Sequence, residues 1–183
     1  HAAARALHAL ARQAGARVVF FCTWARRDHP EQRAELEDAY ASIAAELGAS
    51  IAPVGRAFER YVLLGTAATA RAKRPAGKRE QVPAAAAPTT APSLYAEDGS
   101  HATPVGSCLA AAVLLEAIQG RAPRTLAREL PARRDPALPT GAPAPPPLIA
   151  LDEPSAALLA RCAREAREGF AKERARRRAK APA

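Results

Sequence analysis

The sequence predicts a layered α/β fold built on a parallel sheet. Two short apolar runs, Val18–Cys22 and Ser50–Val54, read as buried parallel strands. Segments with helical spacing of apolar residues lie before, between and after them. An order of helix, strand, helix, strand, helix is the pattern of a layered α/β unit, because each strand then needs a helix to cover it.

Residues 2–14 are alanine-rich, with Leu7, Leu10 and Ala14 at helical spacing, and Gly15 ends that helix. Val-Val-Phe-Phe then forms the first strand. Thr23, Trp24, Ala25, Arg26 and Arg27 follow at its C-terminal end, the edge where open α/β sheets bind ligands. Trp24, the only tryptophan, is placed either to line a pocket there or to cap the core beside the next helix. Arg26 and Arg27 read as a solvated loop. Pro30 to Leu47 is an amphipathic helix with Leu36, Tyr40, Ile43, Ala44 and Leu47 on one face, stopped by Gly48. After the second strand, Gly55 turns the chain into a short helix over Ala57–Leu64. Residues 66–92 are Ala, Pro, Lys and Arg with little to bury, which predicts a low-complexity insertion.

The stretch Leu94 to Leu109 carries the chemistry. Gly99 allows a sharp turn just after Asp98, and His101 follows three residues behind the acid. Thr103 suits the N-cap of a helix, Pro104 its first position and Gly120 its stop. From Leu109 to Ile118 only Glu116 is polar, which predicts a largely buried helix. A carboxylate next to an imidazole fixes its tautomer and stabilises its charged form, the preparation a general base needs before a serine hydroxyl. Taken alone, the same residues are also ordinary loop chemistry, with Asp98 capping backbone amides and His101 solvated. A metal site at His101 and Asp98 lacks further ligands at suitable spacing nearby.

Asp98-x-x-His101 followed by Gly106-Ser107-x-Leu109-Ala110-Ala111 resembles the last conserved block of the SGNH (GDSL-type) hydrolases. Leu94-Tyr95 before the acid, the upstream Val-Val-Phe-Phe-Cys-Thr-Trp-Ala and the Ala-Pro-Val-Gly at 52–55 are similar to one branch of that superfamily. The resemblance covers roughly residues 2–120, and a shorter connection is usual in the family where 66–92 stands here. It implies a three-layer α/β/α sandwich on a parallel, flavodoxin-like sheet. It also implies a serine hydrolase of esters, acetyl esters on carbohydrate among them, with Asp98 and His101 catalytic and no cofactor or metal. The family's Gly-Asp-Ser block has no counterpart. Ser42, Ser50, Ser93, Ser100, Ser107 and Ser155 sit in other contexts, and the family's oxyanion Asn has no counterpart in a sequence without Asn. Cys22 lies in a strand and is a poor substitute nucleophile.

Composition adds boundaries. The 183-residue chain begins with His1 and contains no Met, from which an N-terminally incomplete or processed hydrolase domain over 1–120 is expected. Beyond it come a Pro/Arg-rich linker at 121–147 and a basic helical tail at 148–183. Formal net charge is +9. Residues 1–65 and 93–120 hold eight Lys and Arg against ten Asp and Glu, net −2, while 154–183 hold nine against three, net +6. A mildly acidic core argues against a nucleic-acid groove in it. The last helix opens at Asp152-Glu153-Pro154, carries a thin stripe of Leu159, Cys162, Ala166 and Phe170, and reads as a separable solvated tail. No transmembrane run is visible. Cys22, Cys108 and Cys162 form no zinc pattern and define no compartment. The rival to an ester hydrolase is a non-catalytic α/β interaction protein whose working part is the basic tail.

Overall fold

A computed structural model describes residues 1–72, 92–121, 123, 125–133 and 143–180. Among them are five helices, α1 (Ala2–Gln13), α2 (Gln32–Glu46), α3 (Val54–Ala72), α4 (Pro104–Gln119) and α5 (Glu153–Lys180). Four short strands complete the described elements: β1 (Val19–Cys22), β2 (Ser50–Pro53), β3 (Glu129–Leu130) and β4 (Ile149–Ala150). The fold is mixed α/β and mostly helical.

The two predicted strands are parallel neighbours. β1 pairs with β2 in the register Val19–Ser50, Phe20–Ile51, Phe21–Ala52 and Cys22–Pro53. Helices pack on both faces of this pair, and side chains alternate between the two faces along each strand. Phe20, Cys22 and Ile51 meet Tyr40 and Ala44 of α2 and Phe170 of α5. Val19 and Ala52 belong to the larger core, with Phe58 and Tyr61 of α3, Leu109 and Val113 of α4, and Leu159, Cys162 and Ala166 of α5.

Local rules account for both ends of α4. In α4 the Thr103 hydroxyl accepts from the Gly106 N–H at 3.1 Å, Pro104 opens the first turn, and Gly120 closes it in the left-handed region at φ 78°. α3 is longer than the sequence suggested. It starts directly at Val54 and continues through Ala72, because Thr66–Ala72 is mostly alanine, the best helix former, and no breaker comes before Pro75. The rest of the 66–92 insertion, up to residue 91, lies outside the described residues.

α4 is buried on one stripe only. Gly106, Leu109, Ala110, Ala112, Val113 and Glu116 face inward, while Leu115 and Ile118 are exposed. The single charged residue of the apolar run therefore sits in the core. Helical spacing aligns Glu116 with Leu109, Ala112 and Val113, whatever its polarity. In α1 the opposite happens: no residue is buried, and Leu7 and Leu10 are exposed.

The expected separable tail is corrected. α5 packs its stripe into the main core, with Leu159, Cys162 and Ala163 fully buried and Ala156, Ala160, Ala166 and Phe170 close to it. The physical reason is its alanine content. Small side chains between Leu159 and Phe170 let the helix lie close against α3 and α4. Nor is 121–147 only an extended linker. Glu129–Leu130 pairs antiparallel with Ile149–Ala150, and Ile149 and Leu151 are buried. Asp152 caps α5, its Oδ1 accepting from the Ser155 N–H at 2.8 Å.

An ion network ties three helices together. Glu37 of α2, almost fully buried, accepts from both Arg33 and Arg56, and Arg56 also donates to Glu173 of α5 at 2.6 Å. Among the described residues, no helix is long and apolar enough to cross a membrane.

Candidate active site

The Asp98–His101 turn is a closed loop. Its stem is Tyr95 paired across to Ala102, with Ala96 N–H donating to the His101 carbonyl at 2.9 Å and Thr103 N–H to that of Leu94 at 2.9 Å. Gly99 takes a φ of 66°, which a side-chain-bearing residue adopts only with strain. At the base, Gly106 of α4 lies so close to the Leu94 carbonyl that a Cβ there would overlap it. The stem is thereby seated directly on the first turn of α4.

Inside the loop, Asp98 collects three donors. Its Oδ1 accepts from the Ser100 N–H at 2.9 Å and the His101 N–H at 3.0 Å, and its Oδ2 lies 2.5 Å from His101 Nδ1. The hydrogen bond from the His101 ring, followed by those two backbone amides, holds the Asp98 carboxyl well below the usual carboxylate range. An ionised Asp98 makes Nδ1 the donor, so the neutral ring carries its proton there and presents a bare Nε2. That is the tautomer a general base requires.

The loop following β1 holds this turn from outside. Trp24 Nε1 donates to the Ser100 carbonyl at 2.9 Å. The Arg27 backbone N–H donates to the Gly99 carbonyl at 2.8 Å, and its Nη2 to the Glu97 carbonyl at 3.2 Å. Tyr95 returns the contact, its hydroxyl donating to the Ala25 carbonyl at 3.1 Å. The turn therefore lies just beyond the C-terminal end of β1. Beneath it the Trp24 ring stacks on buried Phe58, with centroids 4.6 Å apart and planes 4° from parallel, and Tyr95 meets Phe58 edge-on at 5.5 Å.

Of the three residues singled out from the sequence, Asp98 and His101 are in direct contact. Trp24 reaches the turn through the carbonyl between them. Its indole face is taken by Phe58 and its N–H by Ser100, which fits the core-capping alternative better than a pocket wall. The imidazole of His101 is open to solvent, with 84% of its side chain exposed. A hollow of about 400 Å³ lies elsewhere, between α3 and α5, lined by residues including Arg56, Arg60, Glu165 and Lys172. Arg27, expected to be solvated, instead grips the turn, and neither its role nor that of Tyr95 was legible. Each reaches across about 70 residues of chain.

Cys22 is buried, and desolvation pushes its thiol up to about 12, so it carries no thiolate to act as nucleophile near neutral pH. Among the described residues no group of three or more His, Cys, Asp and Glu is placed to hold a metal ion. No family model, no curated protein and no solved structure matches the chain.

Proposed function

We propose that this chain carries the acid–base half of an SGNH-type serine hydrolase that cleaves esters, acetyl esters on carbohydrate being the class to test first. The observation that carries the reading is the Asp98–His101 pair, whose 2.5 Å contact leaves Nε2 free as a base. In this reading His101 Nε2 takes the proton of a serine hydroxyl as the hydroxyl attacks the ester carbonyl. It then returns that proton to the leaving alcohol. Asp98 holds the ring in place and offsets the charge of the imidazolium. The serine and its oxyanion donors come from sequence outside this chain, and the complete fold is a three-layer α/β/α sandwich. The β1–β2 pair covered on both faces supports that architecture.

The 183 residues alone are expected to be inactive on small activated esters, because loss of the nucleophile removes covalent catalysis. Coding sequence preceding His1 is expected to contain Gly-Asp-Ser, then a Gly block and an Asn block. In the protein that includes it, His101→Ala should abolish turnover. Asp98→Asn should lower kcat by about 10⁴-fold, the effect of a wrong tautomer in a triad. Turnover by the isolated chain that disappears in His101→Ala would mean a nucleophile within it. An in-frame start just before His1 would instead favour the interaction protein with a basic tail.

A further inference from the structure

We propose that Trp24 and Arg27 are positioning residues that set the tautomer and aim of His101 from the loop after β1. The inference rests on the reading of Asp98 and His101 as the acid–base pair. An imidazole with 84% of its side chain exposed takes little orientation from packing. Its direction is fixed by Asp98 and by the backbone that joins the two residues. Three carbonyls of the turn, at Glu97, Gly99 and Ser100, are held by one short loop: Glu97 and Gly99 by Arg27, Ser100 by Trp24.

Trp24 is suited to this because its ring is seated on the core. Its ring lies flat on Phe58, one of the largest fully buried side chains, so the direction of its N–H is set by the core. Arg27 contributes through its guanidinium, which lies over Gly99 so closely that a Cβ at that position would come within 3.2 Å of Nη2. The loop thus carries the rigidity of the packed interior out to a solvent-facing pair. Preorganisation of this kind is what a site needs when small misplacements cost large factors in rate.

The test uses the full chain labelled with ring-¹⁵N histidine, at a pH where imidazoles are neutral, with His101 assigned by its loss in His101→Ala. Nitrogen shifts then report the share of each tautomer. The unsubstituted chain should show His101 almost wholly as the Nδ1–H form, and Asp98→Asn should remove that preference. Trp24→Phe keeps an aromatic ring on Phe58 but deletes the N–H. Arg27→Gln deletes the guanidinium but keeps the backbone donor to Gly99. Each should raise the Nε2–H share of His101 severalfold, with melting temperature and α4 amide shifts little changed, and the double variant should raise it further. A merely structural role would move the melting temperature and leave the tautomer alone. Wild-type tautomer ratios in both single variants and in the double variant, with Asp98→Asn still disrupting, would overturn the positioning role and leave the acid–base pair standing. An unsubstituted chain with His101 in the Nε2–H form would overturn the acid–base reading itself, and the positioning role with it.

Discussion

At the scale of single residues, Glu116 brings a carboxylate into the core of the described structure. It is buried on α4; its Oε1 lies 3.5 Å from Arg167 Nη1, and its Oε2 has no hydrogen-bond partner. Desolvation raises its pKa, with Arg167 only partly opposing. Because the folded value lies above the unfolded one, the native state binds the proton more tightly. Stability should therefore rise as pH falls from 7 through that raised value, and level off below the ordinary glutamate range. Replacing Glu116 by Leu removes the buried carboxylate with its unpartnered Oε2 and lets Arg167, partly exposed, turn to water. The variant is expected to gain about 1 kcal/mol at pH 7, by denaturant titration, and to lose that part of the pH dependence. A destabilised variant would mean that the Arg167 contact outweighs the desolvation. Asp98 has the opposite sign. Its lowered pKa gives a contribution complete above the ordinary aspartate range and lost as pH falls through the depressed value.

At the scale of elements, α4 and α5 show how far periodicity can be read. The caps of α4 were legible because each depends on residues adjacent in sequence: Thr103 reaches Gly106, and Gly120 needs only its own φ. Its burial was overestimated. An apolar residue can sit at any azimuth, and only the neighbours choose the stripe. α5 was underestimated for the complementary reason. Alanines at 156, 160, 163 and 166 are silent in a hydrophobic pattern yet form the close-packed face. Leu159→Ala is accordingly expected to cost about 2–5 kcal/mol, read from the denaturation midpoint. Arg176→Ala, exposed on the same helix beyond Phe170, should stay within about 0.5 kcal/mol of zero. Equal, small effects at both positions would restore the picture of a detachable tail.

At the scale of the molecule, Arg56 joins the pieces. It lies mostly buried between Glu37 of α2 and Glu173 of α5, and its guanidinium stands 5.8 Å from the Phe170 ring centroid. Deleting it leaves the buried Glu37 carboxylate with Arg33 as its ion-pair partner. Arg56→Ala should cost about 3 kcal/mol, while the double replacement Glu37→Leu with Arg56→Met should recover most of that loss. Equilibrium unfolding by fluorescence of Trp24 and by circular dichroism checks both. Coincident transitions are expected, since α5 contributes to both core clusters.

What the sequence determined by itself was the local part: the two strands and their parallel sense, the ends of α4, and an acid and an imidazole three residues apart across a glycine turn. Backbone propensity, capping and turn chemistry act over a few residues, so they can be read along a single chain. The tertiary structure alone decided that α5 belongs to the core, that Glu116 faces inward, and that Trp24 and Arg27 hold the carbonyls of the turn. Those contacts join residues 50 to more than 70 positions apart. Their partners are set by which faces the helices bury, and no local spacing encodes that choice.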